Sequence, residues 1–287
     1  MSNRNIIRLV VIALGLVIGI DASAQGRVTT QKYRLADFTD KVTKVVVPGS
    51  DILSASFQEE VTANWSASPF EFCSVEQFEK LKTSDQYYFL LAAEIQIKGE
   101  ETPGLVFLTL VKGGPEAAAG IGEMNEVISI PLCAAPGGTG RELVYIGAMI
   151  KAIQEFALAA MESEKVAYSR MEWFNSDFRR HGAQKRILIS NDDLAPSVTP
   201  GQLSMYLDED MLVKEEADVD QEYLDGTYNT LVSYVVAPSD PVKGSVCYKM
   251  FFSADTKTIS YLTRHKISPA KEAGFLTEDL KKIAKKR

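Results

Sequence analysis

The chain has 287 residues, 46% hydrophobic and 24% charged, an ordinary globular composition with room for one or two domains. Its net charge of -7 excludes a generic nucleic-acid binder, because neutralising phosphates takes clustered Lys and Arg.

Residues 1–24 have the three-part layout of a cleavable secretory signal. Arg4 and Arg8 form a positive start, and Leu9 to Ile20 is an apolar run shorter than the ~20 residues of a spanning helix. Ala22-Ser23-Ala24 is a small-residue cleavage site, which makes Gln25 the mature N-terminus. No Cys follows the apolar run, so lipid attachment is not expected. No second apolar run of spanning length is expected either, which predicts a soluble or peripheral mature protein without a transmembrane segment.

Alternating short strands and helices follow. Lys44 to Val47 is β-branched and reads as a buried strand. Asp51 can cap a helix reaching Trp65, with Leu53, Phe57, Val61 and Trp65 on one face. Phe70 to Cys73 is a short strand, and Ser74 caps a second helix carrying Val75, Phe78 and Leu81. Tyr87 to Ile97 and Leu105 to Val111 flank Thr102-Pro103-Gly104 and read as a hairpin. A Gly- and Ala-rich connection, Gly113 to Gly122, leads to a strand over Val127 to Cys133, in which Pro131 argues for an edge or a strand end. After Pro136-Gly137-Gly138-Thr139-Gly140 a long helix begins, with Leu143, Ile146, Ile150, Ile153, Ala157 and Ala160 as its apolar face.

The order repeats loosely. Tyr33…Asp37-Phe38 resembles Tyr168…Asp177-Phe178, and Val47-Pro48-Gly49-Ser50-Asp51 lines up with Ile189-Ser190-Asn191-Asp192-Asp193. A strand over Lys185 to Ile189 is followed by a helical stretch, Pro200 to Val213. Strands over Thr230 to Val236, Val246 to Phe252 and Thr258 to Arg264 come next. A last helix starts at Thr277, with acids first and Lys285, Lys286 and Arg287 at its end, as the helix dipole favours. The reading is an α+β fold of two loosely repeated units, 25–165 and 166–287, each a mostly antiparallel sheet packed by helices.

In layout, the first half, about Lys44 to Ala160, resembles an α+β domain of Gram-negative periplasmic proteins. Examples are the N-terminal domain of the Tol-Pal system protein and the curli-secretion lipoproteins. The likeness rests on the first strand, the helix after Pro48-Gly49-Ser50-Asp51, the segment Asp85-Gln86-Tyr87-Tyr88-Phe89-Leu90-Leu91 opening the paired strands, and the closing helix. It is a likeness of pattern without a diagnostic motif. It implies assembly or interaction in the envelope rather than catalysis.

Chemistry-bearing motifs are sparse. Cys73, Cys133 and Cys247 are an odd number of thiols in apolar or strand-like settings, favouring buried free cysteines. A Cys73–Cys133 disulfide stays open, because spacing does not fix its geometry. His181 and His265 are the only histidines, and no short-spaced His or Cys ligand set for zinc occurs. No Gly-x-Ser-x-Gly elbow occurs, so a nucleophile with a visible base is missing. Gly137-Gly138-Thr139-Gly140-Arg141 lies where backbone amides can hold an anion, yet Gly runs more often only punctuate. The acid-rich stretch from Asp208 to Asp225 suggests calcium, but Tyr223 stands where an EF-hand loop needs Gly, so a solvated helix face or loop is the better reading. Arg179, Arg180, Lys185 and Arg186 form a basic patch that can meet an anionic polymer or an acidic partner such as the 208–225 stretch. Asn64-Trp65-Ser66 fits a glycosylation pattern inside a predicted helix, and it is expected to be unused.

The expectation is an exported, non-catalytic envelope protein that binds other proteins, in the periplasm or at the outer membrane of a Gram-negative bacterium, with no cofactor and no metal. A cleft between the units binding a small ligand or glycan, with Trp65 and Trp173 as stacking surfaces, is one alternative. A carboxylate-dependent hydrolase is the other.

Overall fold

The computed structural model describes residues 35–95, 104–242 and 245–285. The signal segment, with Ala22, Ala24 and Gln25, lies outside the described residues, as does most of the Thr102-Pro103-Gly104 turn.

Two five-stranded sheets have the same topology. The first holds β1 (Val42–Val46), β2 (Phe70–Cys73), β3 (Tyr87–Ile95), β4 (Leu105–Lys112) and β5 (Asn125–Ala134), in the spatial order β2-β1-β3-β4-β5. The second holds β6 (Arg186–Ser190), β7 (Met211–Lys214), β8 (Thr230–Val236), β9 (Val246–Ser253) and β10 (Thr258–Lys266), in the order β7-β6-β8-β9-β10. In each sheet the first three strands pair in parallel and the last three in antiparallel, so both sheets are mixed. The α+β class and the two similar units are therefore present.

The helices are α1 (Ile52–Asn64), α2 (Val75–Leu81), α3 (Glu142–Glu162), α4 (Glu164–Ser169), α5 (Asn175–His181), α6 (Pro200–Leu203), α7 (Glu216–Leu224) and α8 (Thr277–Ala284). Asp51 caps α1 by accepting from the Ser54 N–H at 2.9 Å, and Ser74 and Gln77 form a reciprocal capping box on α2. The predicted helix from Pro200 to Val213 needs correction. Only Pro200–Leu203 is helical in its first part, and Met211–Lys214 is the parallel edge strand β7.

Alternation along the strands sends side chains to opposite faces of each sheet. Phe89 and Leu91 of β3 face outward with Phe78 of α2, whereas Tyr88 and Leu90 face inward. Ile187, Leu231 and Phe251 face outward under α5 and α8, whereas Leu188, Val232 and Phe252 face inward. The inward faces of both sheets share one core with α1, α3 and α7. Phe107 of β4 meets Tyr248 of β9 edge-on at 5.5 Å. Trp65 is buried against Phe38, and Trp173 packs on Phe156 and Phe174, so both indoles serve the core.

α3 lies in this middle layer and is apolar nearly all round. It is long and apolar enough to cross a membrane by length and composition, so the chain does hold a second run of that kind. Its buried residues, among them Tyr145, Met149, Ile150, Ile153 and Phe156, sit in the core between the sheets. The three cysteines are buried and free, without a Cys73–Cys133 bond.

A core shared between the sheets makes the two units unfold together. Phe107→Ala removes a contact between them and should cost ~3–5 kcal/mol. Denaturant unfolding followed by tryptophan fluorescence and circular dichroism should stay one coincident transition. Two separated transitions would contradict the shared core.

Candidate functional site

The most densely charged point of the interior is Arg141, where the closing helix of the first unit begins. A cation at a helix N-terminus opposes the helix dipole and needs carboxylates. The second unit supplies them. Arg141 Nη1 donates to Asp193 Oδ1 at 2.9 Å, and Nε donates to both Asp220 oxygens at 3.0 and 3.1 Å. Nη2 donates to the Ser233 carbonyl at 3.0 Å and lies 2.9 Å from Asp220 Oδ1. The Tyr145 hydroxyl donates to Asp220 at 2.6 Å, and the guanidinium lies over the Tyr145 and Tyr234 rings. Asp193 also accepts from the Ser233 hydroxyl and from the Val235 N–H.

Burial acts to lower the Arg141 pKa, but the Asp193 and Asp220 carboxylates outweigh it and hold the guanidinium charge above its ordinary range. Burial pushes Asp193 up from its ordinary value, and Arg141 and Ser233 pull it back. The Tyr234 hydroxyl donates to the Leu132 carbonyl at 2.7 Å, and Lys151 Nζ to the Thr256 carbonyl at 2.9 Å, both bonds crossing between the units.

A cleft of ≈ 430 Å³ opens beside this network. Its walls include Cys133, Thr139, Arg141, Glu142, Asp192 and Glu216, with Ala273 and Gly274 from the segment before α8. It lies at the carboxyl ends of the neighbouring parallel strands β6 and β8. The α6 region leaving β6 packs on the outer face of the sheet, and α7 entering β8 packs on the inner face. Such a switch point is where open α/β sheets bind ligands. Burial raises the Glu216 pKa, with Arg141 opposing, and pushes the Cys133 thiol up to about 12, which favours the thiol over the reactive thiolate.

The Gly-rich loop does hold an anion, and it is the protein's own. Glu142 folds back so that its carboxylate accepts from the Gly140 N–H at 3.1 Å. A Cβ at Gly138 would come within 2.1 Å of that carboxylate, so a larger residue there would displace the Glu142 carboxylate from its place.

Three residues of the basic patch have partners of their own. Arg179 pairs with Glu172 at 3.3 Å, and Arg180 donates to the Ser176 carbonyl. Lys185 is half-buried at the end of a turn, and Arg186 faces Glu222 of the 208–225 stretch at 3.4 Å. That acidic stretch divides into an exposed turn, β7 and α7, with Asp220 turned inward. His181 is exposed beside Asp177, and His265 is half-buried on β10. No group of three or more His, Cys, Asp or Glu placed to hold a metal occurs among the described residues.

The sheet edges differ. Asn175 seals β10, exchanging two hydrogen bonds with the Leu262 backbone at 2.8 and 3.0 Å. The Tyr234 hydroxyl meets the β5 edge, where Pro131 has no N–H to offer. Lys214 charges β7 and pairs with Glu222. On β2, Phe72 is 40% exposed and rests edge-on against Phe70 at 5.7 Å. The outer side of β2 pairs with no strand among the described residues.

Comparison with protein-family models, curated proteins and solved structures finds no match to this chain.

The Arg141 network acts as a clamp between the units. Arg141→Met leaves Asp193 and Asp220 buried without their cation and should cost ~3–5 kcal/mol. Arg141→Met/Asp193→Asn/Asp220→Asn should recover most of that loss in denaturant unfolding. A cost for Arg141→Met within ~0.5 kcal/mol of zero would match an ordinary surface site and refute the clamp.

Proposed function

We propose that this is an exported, non-catalytic cell-envelope protein that acts by binding another protein along the β2 edge. The observation that carries the reading is the exposed Phe72, resting on the partly buried Phe70, on an edge strand whose outer side pairs with no strand among the described residues and whose charged residue, Glu71, is paired with Lys44 of the neighbouring β1. An open edge offers backbone groups to an incoming strand, and alternate side chains give it selectivity. The central charged network supports a structural role for its residues, because Arg141 and Asp193 already use their donors and acceptors on each other and on neighbouring groups. The signal-like first 24 residues and a sequence pattern that resembles periplasmic assembly proteins support the envelope setting, periplasm or outer membrane of a Gram-negative bacterium.

The cleft favours a second reading, a small-ligand binder. Its walls carry Glu142, Asp192, Asp193 and Glu216 against the one guanidinium of Arg141, which lies 3.5 Å from Glu216, an acidic excess that suits a positively charged ligand such as an amine or guanidinium. A glycan would need aromatic platforms, and Trp65 and Trp173 are packed in the core instead.

A photo-crosslinking amino acid at Phe72 in cells should give one discrete adduct with an envelope protein, and the same probe at the exposed Tyr228 should give none. Phe72→Lys should remove that partner from the copurified fraction while shifting stability by no more than ~0.5 kcal/mol, as for other surface positions. Absence of any adduct at Phe72, together with saturable binding of a cationic small molecule, would replace the first reading with the second.

A further inference from the structure

The segment 268–274 runs as a strap over the outer face of the second sheet before α8, and Ala273 and Gly274 of this strap form one wall of the cleft. Few bonds hold it. His265 Nε2 donates to the Glu272 carbonyl at 2.8 Å, and the Gly274 N–H donates to Cys247 Sγ at 3.2 Å. The Ser197 N–H donates to Glu272 Oε2 at 2.9 Å, and the exposed Lys271 pairs with Glu278. Beyond the strap the chain is anchored more firmly. Phe275 stacks on Phe251 at 5.1 Å and bridges to Leu194, and the buried Lys249–Asp279 pair fastens α8.

His265 stands at the middle of these contacts. Donation from Nε2 to a carbonyl places the ring proton on Nε2 and leaves Nδ1 as a lone pair. Nδ1 is enclosed and meets no hydrogen-bonding group of the described residues. On the same face of the sheet, Cys247 lies directly opposite His265 in the register, and Lys249 lies diagonally next to it, opposite Thr263. The charged and titratable groups around the ring are Lys249 and Cys247 on β9, Asp279 on α8, and Lys271 and Glu272 on the strap. Asp279 is already engaged by Lys249 and by the Leu276 N–H.

We propose that the strap is an acid-released wall of the cleft: proton uptake at His265 Nδ1 frees residues 268–274 from the sheet while Phe275 and α8 stay docked. A proton on Nδ1 would create an enclosed N–H without an acceptor, beside the Lys249 ammonium. The imidazolium is relieved by turning Nδ1 into water, and that rotation breaks the Nε2–Glu272 bond that holds the strap. Burial first, and the Lys249 charge next, hold the folded His265 pKa below its ordinary value of 6.5. A histidine with a depressed folded pKa binds its proton more readily in the open form. The closed strap is therefore fully held above the ordinary imidazole range and is progressively lost as pH falls below about 6.5. This inference stands whichever of the two functional readings holds, since it concerns the wall and not the occupant.

The test is hydrogen exchange by mass spectrometry on the mature protein at pH 7.5 and 5.0, corrected for intrinsic exchange rates. Protection of 268–274 should fall by up to about tenfold for each pH unit between about 6.5 and the lower pKa of the closed form, while α8 keeps its protection. His265→Gln retains an N–H for the Glu272 carbonyl and cannot titrate, so its strap protection should be independent of pH over this range. An equal fall in wild type and His265→Gln would overturn the proposal, because other groups would then drive the release. Loss of α8 together with the strap would overturn it as well. Should His265→Gln fail to fold, an NMR titration of the wild type decides. Proton uptake by His265 and the shifts of the strap amides should share one midpoint below about 6.5, the ordinary imidazole value, and independent midpoints would refute the coupling.

Discussion

A guanidinium removed from water must be neutralised where it stands, and among the described residues Arg141 finds no carboxylate partner in its own unit. Asp193 arrives from the end of β6 and Asp220 from the inner face of α7, both in the second unit. The charge therefore sets which face of the second sheet turns toward α3. The apolar contacts agree with that choice. Tyr145, one turn beyond Arg141, lies 4.7 to 4.8 Å from Tyr223, Tyr234 and Phe252 of the second unit. Burial of apolar area supplies most of the free energy, and the charged network supplies direction.

The two sheets repeat one strand order but use their faces differently. In the first unit the connection between the neighbouring strands β1 and β2 packs in the shared core. In the second, the corresponding α6 region packs on the outer face, and α7 takes the inner one. The aligned loops differ accordingly. Asp51 caps α1 near the surface, whereas Asp193 turns inward to bind Arg141 and Ser233. The matching loop position thus serves helix capping in one unit and assembly of the units in the other.

Much of the fold is legible in the sequence because local pattern and tertiary packing agree. The β-branched run at Lys44 to Val47, the apolar stripe of α3 and the capping residues Asp51 and Ser74 each mark an element that forms. β7 is an exception, as are the short helices α4 and α5. Leu203, Leu207 and Met211 recur at helical spacing, and the four residues of β7 are too few to display strand alternation. The pairing with β6 decides the matter, and pairing is non-local. The site is less legible for the same reason, since Arg141 lies 52 and 79 residues from its partners. Two local signs do point to it. Arg141 is a cation at the wrong end of a helix, and Asp220 shares a helical stripe with Val219 and Tyr223 inside an otherwise solvated acidic run. Neither sign names the partner.

The dependence of each unit on the other is most directly tested by native-state hydrogen exchange across a denaturant series, comparing α3 with β4 of the first unit and β9 of the second. If the units form one cooperative body, the slowest amides of all three should converge on a single opening free energy equal to that of global unfolding. Exchange of β9 through an opening that leaves α3 and β4 protected would show a second unit that unfolds alone. Such a result would contradict the central place of Arg141 and of the core around it.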